Sequence, residues 1–159
     1  MGSLKVPFPI VVAVALCAGI IVEPAVKSYF VTTVNVPAPI SVPGNHALLI
    51  EETDDRGSWT PEQREIMLSN APGSPRDFLT QHTTKEPNGQ PGFILLDQQD
   101  DVKLMPPWVQ EGLQKFKDHQ PPAKLPWAIF SNGKTGYEGQ VLDKVTFNKE
   151  AQRVFGGAK

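Results

Sequence analysis

Few side chains of this 159-residue sequence have the types and spacing that catalysis or metal binding requires. The small number of thiols is the clearest example. The sequence has one cysteine, Cys17, which lies inside an apolar stretch. One thiol cannot form an intramolecular disulfide, a CxxC redox pair or a cysteine-rich zinc site. The three histidines, His46, His82 and His119, show no HxH or HxxxH spacing, so we expect surface or half-buried histidines rather than metal ligands.

Carboxylates are the remaining candidates for acid–base chemistry. Acidic residues follow two of the predicted strands: Glu51, Glu52, Asp54, Asp55 and Asp97. At strand ends, paired carboxylates can act as acid and base, with or without a metal. No histidine or metal motif accompanies them, and the loop from Asp97 to Asp101 lacks the glycine and closing glutamate of an EF-hand. A hydrolytic or metal-assisted enzyme therefore stays an alternative function. We predict no catalytic residue, metal ligand or cofactor.

The composition predicts a folded domain and no nucleic-acid partner. The net charge is -2, the basic residues are scattered, and aromatic residues make up only 8% of the chain. Nucleic-acid binding favours basic patches and aromatic platforms for stacking bases. Hydrophobic residues at 40% and charged residues at 20% are typical of globular proteins.

The amino-terminal segment predicts a membrane anchor. Val6 to Val22 carries no charge and would span about 26 Å as a helix, close to a hydrocarbon core of about 30 Å. The small residues available for signal cleavage fit that role poorly, which favours an uncleaved anchor over residues 1–23. Lys5 before the segment opposes Lys27, which Glu23 partly offsets. The positive-inside bias then places the amino terminus in the cytoplasm and the domain on the periplasmic or extracellular side.

A proline-rich connection follows the predicted anchor. Ser28 to Val36 is rich in β-branched and aromatic residues and predicts an extended strand. Three prolines and a glycine come next: Pro37, Pro39, Pro43 and Gly44. We interpret residues 24–45 as a stiff, extended stalk and residues 46–159 as the folded domain.

The domain sequence predicts alternating strands and helices. Apolar runs between turn residues predict strands over 46–52, 93–96 and 125–130. A tight hairpin turn over 131–136, with Asn-Gly at its centre, predicts a return strand over 137–142. Residues 53–58 read as a polar loop. Thr60, Pro61 and Gln63 form the capping box of a helix that runs to about Asn70. Further helices are predicted over 75–82, from Pro106 or Pro107, and from Asp143 or Val145 to Phe155. The inward residues of the first and third helices are expected to be Ile66, Met67, Trp108, Val109, Leu113 and Phe116.

This order resembles the thioredoxin fold, an α/β sandwich with a central mixed sheet and flanking helices, over Asn45 to Ala158. The most specific feature is Leu125-Pro126, which leads directly into the third strand. Thioredoxin-like proteins have a cis-proline just before that strand, beside the active site, and Pro126 matches it. Trp59 and Pro61 are similar to the family's local pattern at the start of its first helix.

The departure from the family limits what the resemblance implies about activity. Thioredoxins carry CxxC between the first strand and the first helix, whereas Asp54 to Gln63 contains no thiol. Attack on a disulfide needs a thiolate, so dithiol exchange is excluded. The resemblance implies a binding or scaffolding module for a protein or an extended peptide. Its candidate binding residues are Trp59, Thr60, Pro61, Leu125, Pro126 and Trp127. An accessory subunit of a membrane assembly is a further alternative.

Overall fold

The predicted strands form a four-stranded sheet in the described residues. In a computed structural model, which describes residues 38–156, the strands are β1 (His46–Glu51), β2 (Phe93–Asp97), β3 (Trp127–Ser131) and β4 (Gly136–Gln140). Their spatial order is β2-β1-β3-β4. β1 and β2 are parallel, β3 is antiparallel to β1, and β4 is antiparallel to β3. The predicted α/β class with a mixed sheet is confirmed.

Side-chain caps and prolines fix where the helices begin. The helices are α1 (Pro61–Leu68), α2 (Pro75–His82), α3 (Pro107–Asp118) and α4 (Lys144–Phe155). Thr60 and Gln63 form the predicted capping box, and Ser74 and Asp143 each accept a hydrogen bond from the third residue beyond them. These oxygens satisfy main-chain N–H groups that have no partner inside a first helical turn.

Helices cover both faces of the sheet because side chains alternate along β1. Ala47 and Leu49 face a cluster with residues of α1, α2 and α4, including Ile66, Met67, Leu79 and Phe147. Leu48 and Ile50 face the other cluster with α3, including Trp108, Val109, Leu113 and Phe116. All six residues predicted to point inward are buried.

Several local predictions within the described residues differ from the structure. Thr53–Ser58, predicted to be a polar loop, forms a 3-10 helix with no buried residue. Its turn is closed by local main-chain bonds, such as the one from Asp55 N to Glu52 O at 3.0 Å. Because the helix buries no side chain, the sequence has no apolar pattern that would predict it. Helix α1, predicted to run to about Asn70, ends at Leu68. Strand β3 begins at Trp127 instead of residue 125, and β4 ends at Gln140 instead of residue 142.

The described part of the predicted stalk packs against the domain and does not form an extended spacer. Ile40 is fully buried with Leu48 in the cluster on the α3 side. Its carbonyl oxygen accepts a hydrogen bond of 2.9 Å from Ser131 Oγ. Ser41 N and Oγ each donate to the carboxylate of Glu111 at 3.0 Å. Between prolines, one apolar side chain and a few side-chain bonds are enough to dock this segment.

The predicted anchor at Val6 to Val22 and the predicted strand at Ser28 to Val36 lie outside the described residues. Within residues 38–156, no helix has the length and apolarity needed to cross a bilayer.

Candidate functional site

Three segments meet at the end of the sheet where β1 ends and β3 begins. The strand register places Ile50 opposite Trp127, and Trp127 opposite Gln140. Beyond this register, Val141 N donates to the carbonyl oxygen of Pro126 at 2.8 Å. Gln63 Nε2 on α1 donates to the carbonyl oxygen of Val141, also at 2.8 Å. The start of α1, the start of β3 and the end of β4 are therefore joined by one main-chain bond and one bond from the side chain of Gln63.

Gln63 takes part in both the helix cap and the junction. Its main-chain N–H donates to Thr60 Oγ1 at 3.1 Å, while its Oε1 accepts from Thr60 N at 2.9 Å. The side-chain amide nitrogen remains free to reach Val141. The capping box therefore orients the start of α1 and also attaches it to the segment after β4.

The six residues predicted for the site are close in the fold but differ in exposure. Thr60 and Pro61 are exposed and Leu125 is half-buried, whereas Trp59, Pro126 and Trp127 are buried. The peptide bond between Leu125 and Pro126 is cis, as expected for Pro126.

The two tryptophans support this region from opposite faces of the sheet. Trp59 packs in the cluster that contains Val141. The Trp127 ring packs in the other cluster, with its centroid 6.3 Å from that of Phe116 and 4.8 Å from that of His119. Burial of both rings leaves Thr60, Pro61 and Leu125 as the predicted residues that a partner can reach.

Two exposed apolar residues, which the sequence did not predict as part of the site, follow the end of β4. Leu142 is 61% exposed and Val145 is 77% exposed, directly after Val141 and at the start of α4. A small pocket lies beside them, lined by residues that include Tyr137, Gln140, Thr146 and Phe147. In the sequence, Leu142 is the last apolar residue of a predicted strand. In the structure it comes one residue after Val141, which is bonded to Pro126, and its side chain faces solvent.

The acidic residues at the ends of β1 and β2 are bound to other protein groups. Glu51 is buried and accepts from Arg56 Nε at 2.8 Å and from the Arg56 guanidinium a second time. The hydrogen bond that Arg56 donates to Glu51 raises the pKa of Arg56. Glu52 accepts hydrogen bonds from two side-chain amides, those of Gln98 and Gln99.

Asp97 is held by the main chain. Its carboxylate accepts from Gln99 N and from Thr53 N, each at 2.9 Å. The bond from Gln99 N is the largest cause that lowers the pKa of Asp97, followed by the bond from Thr53 N. Hydrogen bonds to the ionised form explain this direction. Asp97 therefore stabilises the turn after β2 as an ionised acceptor, which is unlike a general acid poised near neutral pH.

In the region 38–156, no three histidine, cysteine or acidic side chains are close enough together to hold a metal ion. Comparison of the chain with protein-family models, curated proteins and solved structures found no match. The function must therefore be inferred from this geometry.

Proposed function

We propose that this chain is a binding module with a thioredoxin-like fold and no dithiol chemistry, which holds an extended segment of a partner protein. We further propose that Val6 to Val22 tethers it to a bilayer, with the domain on the extracytoplasmic side. The partner would contact Thr60, Pro61, Leu125, Leu142 and Val145, a set that we call the apolar end surface.

The sheet topology supports the thioredoxin-like part of the proposal. The order β2-β1-β3-β4, with one parallel and two antiparallel pairs, agrees with the arrangement that the resemblance implies. Helices on both faces and Pro126 immediately before β3 agree with it as well. The single thiol at Cys17 supports a function without redox exchange.

The observation that carries the binding proposal is the exposure of Leu142 and Val145 beside the bonded junction. Large exposed side chains of this kind are few in the described residues, and the third is Leu104 on the turn before α3. Exposed apolar side chains that lie together, unlike single ones, commonly mark interaction sites. The side-chain bond from Gln63 to Val141 and the main-chain bond from Val141 to Pro126 hold these groups in place without a partner.

The edge of β4 supports an extended partner segment. In antiparallel pairs, alternate residues exchange main-chain bonds with the neighbouring strand. Val141 N bonds Pro126 O and Asn132 N bonds Thr135 O, so the odd-numbered residues of β4 face β3. The main-chain groups of Glu138 and Gln140 therefore point to the free side. An added strand can use such groups for affinity, and its apolar side chains can contact Leu142 and Val145 for specificity.

The test is binding of the purified full chain to an array of random 12-residue peptides, repeated with Leu142→Glu and with Leu104→Glu as the matched control. We expect Leu142→Glu to lower the affinity for the best-binding peptides by roughly tenfold or more, as for a central interface residue. Leu104→Glu introduces the same charge at a fully exposed leucine outside the surface and should leave binding within about twofold. Equal effects of the two variants, or no peptide bound by the wild type, would contradict the proposal.

A further inference from the structure

A buried polar cluster lies at the other end of β1, away from the apolar end surface. His46 is the first residue of β1 and is 3% exposed. Its ring packs on the indole of Trp108, with 4.9 Å between the ring centroids. Trp108 Nε1 donates to Glu86 Oε1 at 3.0 Å. The cluster thus joins β1, α3 and the segment that carries Glu86.

Glu86 belongs to a hairpin formed by residues 84–92. The base of this hairpin is bonded to the start of β1, for example from Ala47 N to Gly92 O at 2.8 Å. Beyond that base, the Glu86 carboxylate is the group that reaches Trp108 on α3 and the ring of His46. The strength of the Glu86 contacts therefore influences how firmly the 84–92 hairpin is held.

Both ring nitrogens of His46 face oxygen atoms that can only accept hydrogen bonds. Nδ1 lies 3.1 Å from the carbonyl oxygen of Gly44, and Nε2 lies 3.5 Å from Glu86 Oε1. A neutral imidazole has one N–H, so it can satisfy only one of these acceptors. The shorter distance favours the hydrogen on Nδ1, which leaves the Nε2 lone pair facing a carboxylate. A second proton on the ring would convert this contact into a charge-assisted hydrogen bond.

We propose that His46 and Glu86 form a proton-operated latch, in which protonation of His46 binds the 84–92 hairpin more firmly to β1. This proposal is independent of the binding function. It requires only the cluster geometry and the acceptors on both sides of the ring.

The surroundings of His46 set the direction of its titration. Burial lowers the pKa of His46 and outweighs Glu86 and the Gly44 carbonyl, which raise it. The neighbour on β3 is Ser131 and the neighbour on α3 is Trp108, so Glu86 is the charged group among the described residues that face the ring. His46 is therefore neutral at neutral pH, and the charge-assisted bond to Glu86 forms only when the ring takes up a second proton below the ordinary histidine value of about 6.5.

Acid should have opposite local and global effects. A folded-state pKa below the unfolded value means that the unfolded chain takes up the proton first. The contribution of neutral His46 to stability is then fully present above about pH 6.5 and is lost as the pH falls towards the folded-state pKa. The hairpin becomes better protected over the same range in which the whole domain becomes less stable.

The first test is an NMR titration of the full chain. We expect the ring signals of His46, the indole N–H of Trp108 and the exchange rates of the hairpin amides to share one midpoint below about pH 6.5. After correction for the intrinsic pH dependence of exchange, the hairpin amides should exchange more slowly on the acid side. Exchange that does not change through the His46 midpoint would overturn the latch, even if Glu86 variants do not fold.

The second test removes the charge of Glu86 with a variant of the same shape. Glu86→Gln should lower the midpoint of His46 by roughly one pH unit and abolish the response of the Trp108 indole N–H and the hairpin amides. Lys85→Gln also removes one charge from the hairpin, at an exposed neighbour, and should leave both unchanged. If Glu86→Gln behaves like Lys85→Gln, the proposal is wrong.

Discussion

At the scale of single residues, the buried carboxylate of Glu51 is balanced by the guanidinium of Arg56 on the 3-10 helix. Glu51 is 2% exposed and accepts two hydrogen bonds from Arg56. A carboxylate taken out of water is costly unless charge and hydrogen bonds replace its hydration. Arg56 therefore makes it possible for an ionised group to end the central strand.

Arg56→Met should leave Glu51 buried without its partner and lower the free energy of unfolding by about 2–3 kcal/mol. The measurement is urea unfolding followed by tryptophan fluorescence. The matched control is Lys103→Met, since Lys103 is 87% exposed and lies 3.7 Å from an exposed Asp101. That exposed pair should contribute within about 0.5 kcal/mol.

A double variant separates loss of the ion pair from loss of packing. Glu51→Gln combined with Arg56→Met removes the buried charge as well, so it should recover part of the lost stability. Equal stability of Arg56→Met and Lys103→Met would show that Glu51 does not depend on Arg56.

The sequence predicted Glu51 and Thr60 more accurately than it predicted their surroundings. Glu51 was recognised as an acidic residue at a strand end, but its pairing depends on the turn of the 3-10 helix that returns Arg56 to it. The Thr60 cap could be predicted because a capping box is local in sequence. The bond from Gln63 to Val141 spans 78 positions, and no local pattern encodes it.

At the scale of elements, the segment before β1 packs closely on the first residue of β4. Gly136 is buried, and a methyl group on it would overlap the ring of Pro39 and the carbonyl oxygen of Phe130. Glycine at this position therefore allows the proline-containing segment to lie against the sheet.

Gly136→Ala should force these groups apart and lower the free energy of unfolding by roughly 1–3 kcal/mol, the usual range for overpacking. Gly57→Ala is the matched control because Gly57 has open space around its Cα. That change should stay within about 0.5 kcal/mol. Thermal and urea unfolding of both variants provide the measurement, and indistinguishable stabilities would refute the close packing.

Elements with strong local signals were predicted best. Among the described elements, three of the four strands are short apolar runs between turn residues, β4 returns from the Asn-Gly turn, and three of the four helices begin at a side-chain cap. The segment around Ile40 was misjudged because prolines suggested an extended spacer. Its burial depends on a pocket assembled from Leu48 and Gly112, which are distant in sequence.

At the scale of the whole molecule, the proposed tether and the folded domain come from different parts of the chain. The proposal of a tether is based on the uncharged run from Val6 to Val22, whereas the domain is built around the four-stranded sheet. The α/β class followed from the order of elements. A partner could not be predicted, because Leu142 and Val145 become a surface only when α1, β3 and β4 are joined.

Val14→Arg should reduce retention of the chain in membranes after alkaline carbonate extraction, because arginine at the centre of a spanning helix costs about 2.5–3.5 kcal/mol on insertion scales. Val26→Arg makes the same change just beyond the apolar run and should leave retention unaltered. Full retention of Val14→Arg, or loss of retention by both variants, would refute the tether.

The burial of Ile40 also has a practical consequence for dissecting the chain. A fragment that starts at His46 would match the first strand but would lack the side chain that packs with Leu48 and the carbonyl that binds Ser131. Such a fragment would expose apolar side chains to water and would be prone to aggregate. Soluble fragments for crystallisation or binding assays should therefore begin before residue 38, within the proline-rich segment.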